Sequence, residues 1–98
     1  NFYWASRMIA AMADASYSKS IFHIERYQER VMSKGHEYIN QYDELLSKES
    51  NAAKRMQLRQ EANQKIADMV KKETQDTLNK VLYELSNQMK NAYSRSDA

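Results

Sequence analysis

His23 and His36 are the side chains best suited to proton transfer or metal ligation near neutral pH, and they are the only histidines in the sequence. Neither belongs to a Glu-x-x-His or His-x-x-x-His arrangement, the spacings that bring two ligands onto one helix face. Both read as ordinary, partly exposed histidines. The 13 acidic residues are scattered among 15 lysines and arginines. That pattern describes solvated helix faces, whereas a paired general acid and base needs a pocket that thin helices rarely build. A single Gly excludes a Gly-rich phosphate loop, and the absence of Cys excludes disulfides and thiolate metal ligands. The serines lack the setting of a nucleophile elbow. The residues therefore give no catalytic, cofactor-binding or metal site, and the chain reads as a non-enzyme, at most a non-catalytic subunit of a larger enzyme complex.

Two features stand slightly above this background. Phe2, Tyr3 and Trp4 form an aromatic cluster suited to a protein interface or to packing on a neighbouring helix, since rigid rings supply contact area at little entropic cost. Lys54, Arg55 and Arg59 form a short basic ridge, either a contact for an acidic or phosphorylated partner or a solvated face. The net charge of +2 gives no strong field for nucleic acid or anionic lipid.

The elements that would position these groups are helices. Ninety-eight residues with one Gly and no Pro lack the punctuation of sheets and loop-rich folds, so one all-α region spanning 1–98 is expected. Along 17–45, Tyr17, Ile21, Ile24, Gln28, Val31, Gly35, Tyr38, Tyr42 and Leu45 alternate at steps of four and three, a heptad seam that seeks another helix. Gly35 marks a kink, a close helix crossing, or a fault that packing absorbs. Ser16, Ser18 and Ser20 are either N-caps of a new helix or points that one helix passes through.

The organisation expected is a helix over about 2–46, a possible break at 47–51, a helix over about 52–93 and a fraying polar tail at 94–98. Extended helices and a helical hairpin with coiled-coil-like packing remain open. In the second half Ile66, Val70, Thr74, Leu78, Val81, Leu85, Met89 and Ala92 recur at a period nearer 11/3 than 7/2, which argues against one uniform rod. Acid-to-lysine pairs at i, i+4 (Glu44 with Lys48, Glu61 with Lys65, Asp68 with Lys72, Asp76 with Lys80) support a solvated helix. No run approaches the roughly 20 apolar residues that span a bilayer. The start at Asn1 rather than Met suits a fragment or a processed product.

Two windows carry a family resemblance. Phe2, Ile9-Ala10, Asp14-Ala15-Ser16-Tyr17 and Ile21-Phe22-His23-Ile24 form the first, and Asp76-Thr77-Leu78-Asn79-Lys80-Val81-Leu82-Tyr83-Glu84-Leu85 the second. Together they resemble the matrix part of subunit b of mitochondrial F-type ATP synthase. The resemblance implies a structural stator of the peripheral stalk on the matrix side of the mitochondrial inner membrane. Companion stalk subunits and the catalytic head would be its partners, with no nucleic acid and no membrane span within these residues. Its interface would comprise Trp4, Tyr17, Ile21, Ile24, Val31, Tyr38 and Leu45 on the first half and Leu78, Val81, Leu85 and Met89 on the second. The alternative is a small helical-hairpin interaction protein, such as a secretion chaperone or an assembly adaptor. A nucleic-acid or lipid-surface binder is the third class.

Overall fold

The computed structural model describes the backbone of residues 2–97 and the side chains of residues 3–91. It is all-α: α1 (Phe2–Lys48) and α2 (Ala52–Asp97) form a helical hairpin, and no strand occurs among the described residues. The extended alternative is thereby set aside. Phe2 and Ala92, and the tail at 94–98, lie outside the residues whose side chains are described.

The reversal occupies 49–51, and its chemistry is local. The Asn51 side-chain oxygen accepts the backbone N–H of Lys54 at 3.0 Å, an N-cap that satisfies a donor the first turn of α2 would otherwise leave unpaired. The Asn51 N–H in turn donates to the Glu49 carboxylate at 3.0 Å. At the other helix end the Arg55 guanidinium donates to the carbonyls of Leu46 and Glu49, placing a cation where the α1 dipole is negative. Arg55 is therefore not part of an outward basic ridge; of the three residues, only Lys54 and Arg59 are exposed. Replacing Asn51 with Ala is expected to lower stability by about 1 kcal/mol, read as a shift in the urea midpoint without a change in slope.

Two compact units are present, each built from one stretch of each helix. The turn unit is Tyr27–Gln75, and the terminal unit pairs Asn1–Arg26 with Asp76–Ala98. In the turn unit Val31, Gly35, Tyr38, Tyr42 and Leu46 of α1 are shielded, as are Leu58, Ala62, Ile66, Met69, Val70 and Glu73 of α2. Tyr42, at 5% exposure, is the one fully buried hydrophobic residue among those described. Gly35 is helical without positive φ, and a Cβ built there meets nothing nearer than the Met69 terminal methyl at 3.9 Å. Of the three readings of this glycine, neither a kink nor a forced close crossing applies. Gly35→Ala should stabilise the helix by about 0.5–1 kcal/mol, measurable as a raised melting temperature.

The terminal unit has a different interior. Among the described residues its buried ones are Ser16, Ser20 and Thr77. The Ser16 hydroxyl donates to the Met12 carbonyl at 3.0 Å and the Ser20 hydroxyl to the Ser16 carbonyl at 2.8 Å. These back-bonds satisfy the hydroxyls inside the helix, so α1 passes through 16–20 and neither serine acts as an N-cap.

Candidate functional site

The strongest electrostatic feature lies in the turn unit. Glu73 is 6% exposed, and its two carboxylate oxygens accept from Arg30 Nε at 2.8 Å and from the Lys34 ammonium. One helical turn separates the two cations on α1, so they bracket a single carboxylate on α2. Lys34 and then Arg30 hold the Glu73 carboxyl well below its usual 4.5, at about 2, despite burial, which opposes ionisation. Beside the clamp, the Tyr27 and Thr74 hydroxyls share a 2.8 Å hydrogen bond.

Against this clamp runs a shallow groove of about 530 Å³, walled by Lys34, Glu37 and Tyr38 on α1 and by Lys65, Asp68, Met69 and Lys72 on α2. Lys65 Nζ lies 5.4 Å from the centre of the Tyr42 ring, and its hydrogen bond to Tyr42 raises its pKa above the ordinary lysine value. The groove thus has cations, carboxylates and an apolar floor in one place, but it is open and most of its charged side chains are solvated. Among the described residues no group of three or more His, Cys, Asp or Glu is placed to hold a metal ion.

Neither histidine enters the groove. His36 is exposed beside a small apolar hollow lined by Val31, Met32, Gly35, Ile39, Ile66 and Met69. His23 is in the terminal unit, where its Nε2 lies 3.8 Å from a Glu84 carboxylate oxygen whose twin is 3.6 Å from Lys19 Nζ. Of the acid-to-lysine pairs, Glu44 and Lys48 meet at 3.3 Å, whereas Asp68 takes a hydrogen bond from Gln64 at 2.9 Å.

The residues expected at an interface divide into two sets. Val31 and Tyr38 are half-buried in the turn unit and Val81 in the terminal unit. Trp4, Tyr17, Ile21, Ile24, Leu45, Leu78, Leu85 and Met89 are exposed, Tyr17 by 67%. Trp4 sits edge-on to Tyr3, with ring centres 6.1 Å apart. The shielded face of α1 coincides with the heptad seam at Val31, Gly35, Tyr38 and Tyr42. Over 16–27 it is Ser16, Ser20, His23 and Tyr27, about a quarter-turn away from Tyr17, Ile21 and Ile24. Glu73, the most strongly perturbed group, was not among the expected site residues. Its signal is that it stands at a core position, between Val70 and Thr77 on the shielded face of α2.

Comparison with known proteins finds similarity to bacterial proteins named dipeptidases. The chain is 42% identical over 98 residues to a probable dipeptidase A of Streptococcus pyogenes serotype M1, and 41% identical over 97 residues to that of serotype M3. A dipeptidase of Bifidobacterium longum is 31% identical over an alignment of 134 residues. Each alignment takes in 99% of this chain but only 20% of the streptococcal proteins and 25% of the bifidobacterial one, so the chain spans about a fifth to a quarter of their length. No family model and no solved structure matches it.

These relatives overturn the stator reading. Similarity along the whole chain to bacterial dipeptidases replaces the two-window resemblance to ATP synthase subunit b, and with it the roles in proton transport and at the mitochondrial inner membrane. The reason is degeneracy: both windows consist of helix-compatible substitutions that any amphipathic helix can imitate. The non-enzyme reading is corrected by the same finding, because the lack of a catalytic motif within 98 residues does not speak for proteins four to five times longer. The secretion-chaperone or adaptor alternative gains no support from these relatives. Among the described residues no helix is long and apolar enough to cross a membrane.

Proposed function

We propose that the chain acts within a dipeptidase-type peptidase, as the helical-hairpin part of an enzyme that hydrolyses dipeptides. The observation that carries this reading is the 41–42% identity to the streptococcal dipeptidases over 97–98 residues, 99% of the chain. A shared function at this level requires the hairpin to keep its shape, and the residues described above do that locally: the Asn51 cap, the Arg55 bridge to the end of α1 and the Glu73 clamp. Its partner, on this reading, is the remainder of a protein of the relatives' length.

The test is a segment exchange. In dipeptidase A of Streptococcus pyogenes the matching fifth is replaced by these 98 residues, and a second variant has that fifth deleted. The exchange is expected to hydrolyse dipeptides within about tenfold of the parent, and the deletion to be inactive. An exchanged protein that folds, by circular dichroism and a cooperative melt, yet hydrolyses no dipeptide would overturn the reading.

A further inference from the structure

The terminal unit is built with its polarity reversed. Its buried positions hold Ser16, Ser20 and Thr77, while twelve of the sixteen large hydrophobic residues that are exposed among the described residues lie in this unit. Six of the twelve gather on one side of the helix pair. On α1, Tyr17, Ile21 and Ile24 are rotated by about 100° from the Ser16, Ser20 and His23 line, at about 100° per residue. On α2, Leu78, Leu85 and Met89 are rotated in the same sense from the Glu84 and Thr77 line. Because the two helices run antiparallel, equal rotations in the same sense bring both sets to the same side of the pair. They form one apolar face two helices wide. Ala10, Ala13 and Val81 continue it, and Asp14, one turn from both Ala10 and Tyr17, adjoins it on α1; an exposed apolar patch of this kind marks an interaction site.

We propose that this face of the terminal unit is seated on the body of the dipeptidase-type protein, the four-fifths of the relatives' length that this chain does not match. The inference rests on the functional reading above. Two further observations select that occupant. The matched segment leaves most of a relative's chain available to supply a covering surface. The terminal unit also comprises the stretches of α1 and α2 farthest from the reversal at 49–51, so the face lies away from the chain's own turn. The turn unit, with four exposed large hydrophobic residues, its Glu73 clamp and its solvated groove, has no comparable face.

Cysteine accessibility tests this, since the chain has no Cys of its own. Ile24→Cys and Leu85→Cys probe the face, and Met56→Cys, at an exposed position of the turn unit, is the control. Maleimide labelling is measured by peptide mass in the free 98-residue chain and in the exchanged streptococcal protein. In the free chain all three should react readily. In the exchanged protein the two face cysteines should react about 100-fold more slowly, with Met56→Cys unchanged. Equal rates at all three positions in the exchanged protein would overturn the proposal. So would a free chain that sediments as a dimer with the face cysteines already protected, because a second copy would then be the occupant. Should the cysteine variants fail to fold, hydroxyl-radical footprinting of unmodified Streptococcus pyogenes dipeptidase A, at the positions aligned with Ile24, Leu85 and Met56, reads the same face, with protection at the first two expected and equal modification overturning it. Dipeptide hydrolysis is scored on the same samples. Hydrolysis with unprotected cysteines overturns the docking alone; protection without hydrolysis overturns the functional reading alone.

Discussion

Tyr42→Ala is expected to lower the unfolding free energy by about 3 kcal/mol and the melting temperature by well over 10 °C. Tyr42 is the one hydrophobic side chain among the described residues that is almost wholly withdrawn from water, and the Lys65 ammonium is stacked against its ring. Tyr38, one turn away on the same seam, is itself only half-buried, so truncation of Tyr42 leaves a gap at the one fully shielded position of a thin core. The informative comparison is Tyr17→Ala. Tyr17 belongs to the same heptad seam but is 67% exposed, so its removal from the free hairpin should change stability by no more than about 0.5 kcal/mol. Urea unfolding of the two variants measures the difference. Equal losses would mean that the helix face assigned to the interior is wrong.

The second large effect belongs to Glu73. Its carboxylate accepts charge-assisted hydrogen bonds from Arg30 and Lys34, and bonds of this kind contribute about 1.5–3 kcal/mol. Glu73→Gln keeps the shape and removes the charge, and it should cost about 2 kcal/mol near pH 7. The pH dependence carries the same information with a definite sign. The folded carboxyl is held at about 2 against an ordinary 4.5, so between those values the unfolded chain binds more protons than the folded one. The stabilisation is complete above about pH 4.5 and disappears as the pH falls towards 2. Melting temperatures recorded across that window should therefore drop steeply for the native chain and much less for Glu73→Gln. Parallel curves would show that Glu73 is not clamped. Arg30 and Lys34 are one-third to one-half exposed, so each finds water when the carboxylate is neutralised, which keeps the loss in the range of a destabilised hairpin rather than an abolished one.

The helices were legible from composition because there is almost nothing in the chain to stop one. The choice of hairpin over extended helix was not, since periodicity counts residues along a face and says nothing of what lies opposite. Ser16 and Ser20 show why a heptad seam does not name the interior of the terminal unit. Hydroxyls bonded back to carbonyls four residues earlier are satisfied in a dry interface, so a serine line competes for the buried side of α1 with the more apolar line of Tyr17, Ile21 and Ile24. The basic ridge failed for a similar reason: Arg55 is drawn to the carbonyls at the end of α1, a target that exists only once the chain has reversed. The stator resemblance rested on amphipathic patterning, which many unrelated helices share.

By itself the sequence determined that this protein is helical, that its helices are long, and that their apolar stripes seek another helix. These follow from local causes: backbone propensity, the lack of Gly and Pro, and the count of apolar side chains on a polar chain. Only the tertiary structure decided which stripes are hidden. It set Tyr42 inside and Tyr17 outside on one seam, placed Glu73 between two cations, and left an apolar face exposed on the terminal unit. The physical reason is that a helix presents several faces of similar energy. The choice among them depends on how closely the opposing helix approaches and on which polar groups find partners there, and neither quantity is a property of any short stretch of chain.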